Sequence, residues 1–313
     1  MSEQQAVLSK PRDLDSREGV AASGIRSELL NGVPIRARHL NVNGIATSVL
    51  EAGSGPSLLL LHGGIECGGV YWAPVISRLA DSCRVVVPDV PGLGESAPVA
   101  TLDAAAFADW FSTLLRLTCN DQPTLVAHSL LGTYAARFAA QHGHLLSGLF
   151  IYGAPGVGPY RMPLALLVTA IRFDLWPSER NNERFERLAF LDLDRARRRD
   201  AEWFKAFSAY ALSCAIVPHV KRTMRQLIRI GTKQVPDAEL RRIEVPTALL
   251  WGRHDRFVPL RLAESASARV GWPLHVIDDA GHVPHLEQPE AFLAALHSAL
   301  AGSHPEKEKT RKP

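Results

Sequence analysis

The sequence predicts an α/β protein: an eight-stranded, mostly parallel sheet with helices on both faces and an inserted α-helical cap. Three observations carry that expectation. Short runs of apolar and β-branched residues alternate with longer stretches of helical period. The alternation stops after Ala154 and resumes near Pro246. Between them, residues 156–235 keep a helical pattern without strands and have a charge balance of their own.

Residues 1–34 are polar and aperiodic, which predicts a flexible N-terminal extension. Strands follow at 36–42, 45–51, 57–61 and 84–90. The cleanest helix is 103–118, where Phe107, Trp110, Phe111, Leu114, Leu115 and Leu117 recur at spacings of three and four. Four more strands are expected at 123–128, 148–153, 246–251 and 273–278. The core is therefore assigned to 35–155 and 236–301, the cap to 156–235, and a charged flexible tail to 302–313, with Lys307, Lys309, Arg311 and Lys312.

Composition narrows the function classes. A chain of 313 residues, 46% apolar and 21% charged, is neither disordered nor fibrous. The formal charge of +3 is too small to imply a polyanionic partner, so no nucleic acid is expected. Cys67, Cys83, Cys119 and Cys214 form no CxxC pair, which argues against a zinc cage or a disulfide framework. No apolar run approaches the roughly 18 to 20 residues that span a bilayer, and the N-terminus lacks the basic and apolar regions of a secretory signal. The expectation is a cytoplasmic protein without a membrane span. No Gly-rich phosphate loop and no paired i, i+4 histidines occur, so neither a cofactor nor a metal is expected.

The cap holds 15 Lys/Arg against 8 Asp/Glu, whereas 36–155 holds 6 against 8 and 236–301 holds 6 against 9. Two readings follow. The cap arginines pair with Asp192, Asp194 and Asp200 on a solvated helix face, or the basic cap steers an anionic substrate. Aromatic residues Phe173, Trp176, Phe185, Phe190, Trp203, Phe204, Phe207 and Tyr210 suggest an apolar roof, and hence a small, apolar substrate, anionic on the second reading of the charge.

Chemistry concentrates at strand ends. Thr124-Leu125-Val126 runs into Ala127-His128-Ser129-Leu130-Leu131-Gly132 and then a small-residue helix. A serine on a sharp strand-to-helix turn has its hydroxyl clear of the backbone, with helix N–H donors behind it. A serine hydroxyl is weakly nucleophilic unless a base takes its proton and an acid orients the base. Asp255, after the strand ending at Trp251, and His282, in Asp279-Ala280-Gly281-His282, supply those types at the carboxyl ends of later strands.

The order Ser129, Asp255, His282 resembles that of the α/β-hydrolase fold family, over about residues 36–301. Leu61-His62-Gly63-Gly64 is similar to the family's oxyanion-hole loop, and Pro88-Asp89-Val90-Pro91-Gly92-Leu93-Gly94-Glu95-Ser96 to its turn after the fourth strand. The resemblance implies that Ser129 is the nucleophile, His282 the base and Asp255 its orienting acid. It also implies that the backbone N–H groups of Leu130 and Gly64 hold the oxyanion. His62, His128, His254 and His285 are assigned to the scaffold or the pocket lining, and Cys67 to a small buried hydrophobe.

Two positions depart from the family. The elbow places glycine two residues before and two after the nucleophile; this chain has Ala127 and Leu131.

The implied function is a serine hydrolase cleaving a carboxylic ester or lactone through an acyl-enzyme. Ser129 in place of an aspartate argues against epoxide hydrolases and haloalkane dehalogenases. The alternatives are a C–C bond hydrolase of the meta-cleavage-product type, against which Val283 stands where those enzymes carry tryptophan, and a ligand-binding pseudo-enzyme.

Overall fold

A computed structural model describes residues 24–63 and 65–303. A helix at 24–29 (α1) leads into a hairpin of β1 (Ile35–Val42) and β2 (Ile45–Ala52). Its two-residue turn, Asn43-Gly44, has φ of 54° and 85°, the left-handed pair that such a turn requires. Next come β3 (Ser57–Leu61), α2 (Ala73–Ala80), β4 (Arg84–Pro88), α3 (Ala104–Thr118), β5 (Thr124–His128), α4 (Ser129–His142) and β6 (Gly148–Tyr152). Six helices follow: α5 (Leu164–Leu175), α6 (Glu179–Ala189), α7 (Leu193–Arg199), α8 (Ala201–Ala215), α9 (Pro218–Gly231) and α10 (Asp237–Leu240). The sheet resumes with β7 (Thr247–Gly252), α11 (Arg261–Val270), β8 (Leu274–Ile277), α12 (Pro284–Glu287) and α13 (Pro289–Ser303).

The eight strands form one sheet in the order β1-β2-β4-β3-β5-β6-β7-β8. β2 runs antiparallel to β1 and β4, and the rest are parallel. Every residue of β3, β5, β6 and β7 is buried, as parallel strands covered on both faces require. The carboxyl ends of β5, β7 and β8 therefore open along one edge, and the loops leaving them carry the candidate residues.

α3 starts on Asp103, whose side chain accepts the Ala106 N–H. It buries Phe107, Trp110, Phe111, Leu114 and Leu115 as its period predicts, but Leu117 is exposed. Leu117 sits at the margin of the stripe, and Thr118 occupies the buried position of that turn.

Within the expected extension, residues 24–34 are packed on the core. Leu29 is buried, and Arg26 lies 3.0 Å from buried Asp89 and 3.3 Å from Glu95, with its guanidinium donating to the Tyr210 hydroxyl of α8 at 3.4 Å. A helix of under two turns held by one leucine and one buried ion pair leaves no periodic signal in a sequence. Residues 1–23 of that extension, and 304–313 of the tail, lie outside the described residues.

Two of the cap helices, α7 and α8, are capped by their own acids. Asp192 accepts the Arg195 N–H at the start of α7, and Asp200 accepts the Trp203 N–H at the start of α8. Asp194 pairs with Arg187 at 3.1 Å, and Arg197 meets Glu186 at 2.8 Å. Two of the three aspartates expected to pair with arginines therefore serve as N-caps. Among the described residues no helix is long and apolar enough to cross a membrane.

Candidate active site

Ser129 occupies the junction of β5 and α4 with φ of 52°, in the left-handed region that non-glycine residues seldom adopt. This strain turns the side chain out of the strand and toward a cavity that Ser129 lines. The tight packing behind the elbow falls at Gly132. A Cβ there would lie 2.8 Å from the Ala154 Cβ and 3.1 Å from the Ile151 Cγ2 of β6. Leu131 is instead fully buried in the apolar core, so the glycine that the close approach demands stands one residue later than the family pattern sets it.

The structure brings Ser129, Asp255 and His282 together. His282 Nε2 lies 2.9 Å from Ser129 Oγ, and His282 Nδ1 lies 2.8 Å from Asp255 Oδ2. All three are buried. The second carboxylate oxygen of Asp255 accepts the backbone N–H groups of Phe257 and Val258, each at 2.8 Å. Those bonds fix the carboxylate plane and leave Oδ2 for the imidazole. Serine hydroxyl, imidazole and carboxylate thus form one chain of hydrogen bonds that can move a proton from Oγ to Nε2.

Residues outside the Ser129, Asp255 and His282 set hold His282 in place. The Ala189 carbonyl at the end of α6 accepts the His282 N–H at 2.7 Å. The His282 carbonyl accepts from His128 Nε2 at 2.9 Å, and the Tyr71 hydroxyl lies 3.1 Å from His128 Nδ1. Burial drives the His128 imidazole well below its ordinary pKa, so it stays neutral with Nε2 as donor and Nδ1 as acceptor. Glu287 braces the loop from the other side: its two oxygens accept the N–H groups of Gly281 and Leu191, each at 2.7 Å. Only His128, next to the serine, was conspicuous in the sequence. Ala189 and Leu191 act through backbone atoms, which no residue type announces.

Leu130 lines the cavity in the first turn of α4, where N–H groups have no intrahelical partner. Gly64 lies outside the described residues. Its neighbour Gly63 lines the cavity, and a Cβ there would overlap His128 Nδ1 at 2.2 Å. Burial lowers His62 to about 4 and His285 to about 3, so both are neutral core groups; His62 Nε2 accepts the Val90 N–H. His254 is exposed, and Cys67 is buried in the core. Among the described residues no three His, Cys, Asp or Glu side chains group as a metal site.

The cavity has a volume of about 150 Å³ and opens to solvent at its mouth. Leu166, Phe185, Phe190, Phe207, Met224 and Ile228 roof it from the cap. Of the other cap aromatics, Phe173 and Phe204 are buried, Tyr210 bonds Arg26 and Trp176 faces solvent. No lysine or arginine is among the described lining residues, which instead include Glu66 and Glu186. Glu186 is occupied by Asn182, Ser208 and Arg197. Burial raises the half-buried Glu66 carboxyl from 4.5 to about 7, with Asp174 adding repulsion.

A raised carboxyl pKa costs stability as pH climbs, because the unfolded chain releases the proton first. The cost builds between pH 4.5 and about 7 and is constant above that. Glu66→Gln is therefore expected to leave stability at pH 4.5 nearly unchanged and to raise it by about 1 to 3 kcal/mol at pH 8. Denaturant unfolding at the two pH values checks this, and equal effects at both would contradict it.

The sequence matches the alpha/beta hydrolase family over residues 58–295. The chain belongs to that family. This hydrolase is 27% identical over 278 residues to a 2-hydroxy-6-oxo-6-(2'-aminophenyl)hexa-2,4-dienoic acid hydrolase of Metapseudomonas resinovorans, covering 84% of this chain and 90% of the relative. It is 29% identical over 271 residues to a pimeloyl-[acyl-carrier protein] methyl ester esterase of Chromobacterium violaceum, covering 79% and 95%. Its fold is similar to that of a carboxylesterase from Bacillus subtilis, with a TM-score of 0.77, 21% identity, and coverage of 92% and 100%.

Proposed function

We propose that this hydrolase cleaves an uncharged carboxylic ester or lactone through an acyl-enzyme formed on Ser129. The observation that carries the reading is the unbroken hydrogen-bond chain from Ser129 through His282 to Asp255 beside an apolar cavity. Ser129 Oγ attacks the carbonyl carbon while His282 Nε2 takes its proton, and Asp255 stabilises the imidazolium. The negative oxygen is held by the backbone N–H groups of Leu130 and Gly64. Collapse breaks the bond to the leaving oxygen, which takes the proton from His282 and departs as the alcohol. Water then gives a proton to His282 and attacks the acyl carbon; the acid leaves as Ser129 recovers its proton.

The dienoic acid hydrolase relative raises a second reading, hydrolysis of a C–C bond beside a ketone. Such a substrate carries a carboxylate, and an unpaired charge buried in a cavity lined by Glu66, with no lysine or arginine among its described residues, is costly. The ester reading is preferred on that ground.

A fluorophosphonate probe and 4-nitrophenyl esters of graded acyl length, assayed beside a ring-cleavage dienoate, test both. Labelling of Ser129 and faster turnover of neutral esters are expected. Absence of labelling in folded protein overturns the hydrolase reading, and faster turnover of the dienoate overturns the substrate class.

A further inference from the structure

The first cap helix, α5, is apolar on both faces. Leu166 and Phe173 are buried, and Leu166 and Ala170 line the cavity. On the opposite face Leu164, Leu167, Val168, Ile171 and Leu175 form an unbroken stripe, continued by Trp176, with exposures between 42% and 74%. Soluble proteins seldom leave so continuous an apolar surface open to water.

Cations flank the stripe on both sides. At about 100° per residue, Arg172 projects to one side of its centre and Asp174 to the other. Asp174 is where α9 brings its own charges: Arg225 pairs with its carboxylate at 2.7 Å and Lys221 donates to its carbonyl at 2.7 Å. Arg161 precedes the helix, and neither it nor Arg172 makes an ion pair among the described residues.

From this arrangement we infer that the outer face of α5 docks on an anionic lipid surface, its leucines, isoleucine and tryptophan entering the acyl boundary while Arg161, Arg172, Lys221 and Arg225 meet the headgroups. An apolar ridge bordered by basic residues, on a helix too short to span a bilayer, is the pattern of a segment lying in the interface plane. Charge favours lipid over a second copy of the chain. In an antiparallel twofold contact through this ridge the Arg172 edge of one copy would face the Arg172 edge of the other, and the Arg225 edge its own counterpart. On an anionic surface the same residues gain attraction.

Vesicle sedimentation of the full chain tests the assignment, using Ser129→Ala protein so that binding is read independently of any hydrolysis. Vesicles of phosphatidylcholine alone are compared with vesicles containing one-third phosphatidylglycerol. Binding to the anionic vesicles is expected to be about tenfold or more tighter, and to weaken at high salt. Leu164→Ser/Ile171→Ser/Trp176→Ser, all surface changes, should lower that binding about tenfold or more, while Arg172→Gln should reduce the preference for phosphatidylglycerol. Three results overturn the proposal: no binding to either vesicle, equal binding by the triple variant and its parent, or a dimer in gel filtration that the triple variant dissociates.

Discussion

Ser129→Ala is expected to lose about 10⁴-fold or more in ester turnover while melting at the same temperature as the parent enzyme. The change removes one oxygen atom from a side chain at the cavity wall, and the bonds of Asp255 to His282, Phe257 and Val258 do not depend on it. On the proposed mechanism, what remains can still bind substrate but offers the carbonyl no covalent partner. The residual rate decides the matter. A variant retaining more than about a tenth of parental turnover would show that another group attacks the carbonyl, since loss of a true nucleophile leaves orders of magnitude less. Measuring kcat alongside thermal unfolding separates lost chemistry from lost fold.

The parts of this fold that sequence made legible are those that repeat. β3, β5, β6 and β7 are short buried runs, and α3 carries a stripe of aromatic and leucine residues, so period alone found them. The candidate site was legible because Ser129, Asp255 and His282 are distinctive residue types at strand ends in a recognisable order. What stayed hidden is held by single long-range contacts. Arg26 gives no pattern, yet it ties a helix at 24–29 to Asp89 and to Tyr210 of the cap. Cap and sheet look separable in sequence, but the Ala189 carbonyl and the Leu191 N–H reach directly into the loop that carries His282. Replacing the cap therefore disturbs the imidazole as well as the roof over the cavity.

The substitution with the largest expected effect on stability is Leu131→Gly. At the elbow a leucine replaces the glycine of the family pattern, and such a side chain either strains the turn or sits in surroundings that have made room. The close approach to β6 falls on Gly132, whose missing Cβ would press on Ala154 and Ile151, while Leu131 is fully buried in the core. Room has been made. Truncation then opens a cavity costing about 2 to 5 kcal/mol, and glycine in the first turn of α4 adds up to about 1 more, so a loss of about 2 to 6 kcal/mol is expected with no gain in turnover. Leu131→Ala separates the two causes: it should show the cavity cost alone, and the further drop to glycine reads the backbone. Ser129 already sits at φ of 52°, so a more mobile neighbour loosens the one residue whose conformation the elbow must hold. If Leu131→Gly instead raised both the melting temperature and the turnover, the leucine would be straining the nucleophile turn, and a binding role without efficient chemistry would become the better account of this chain.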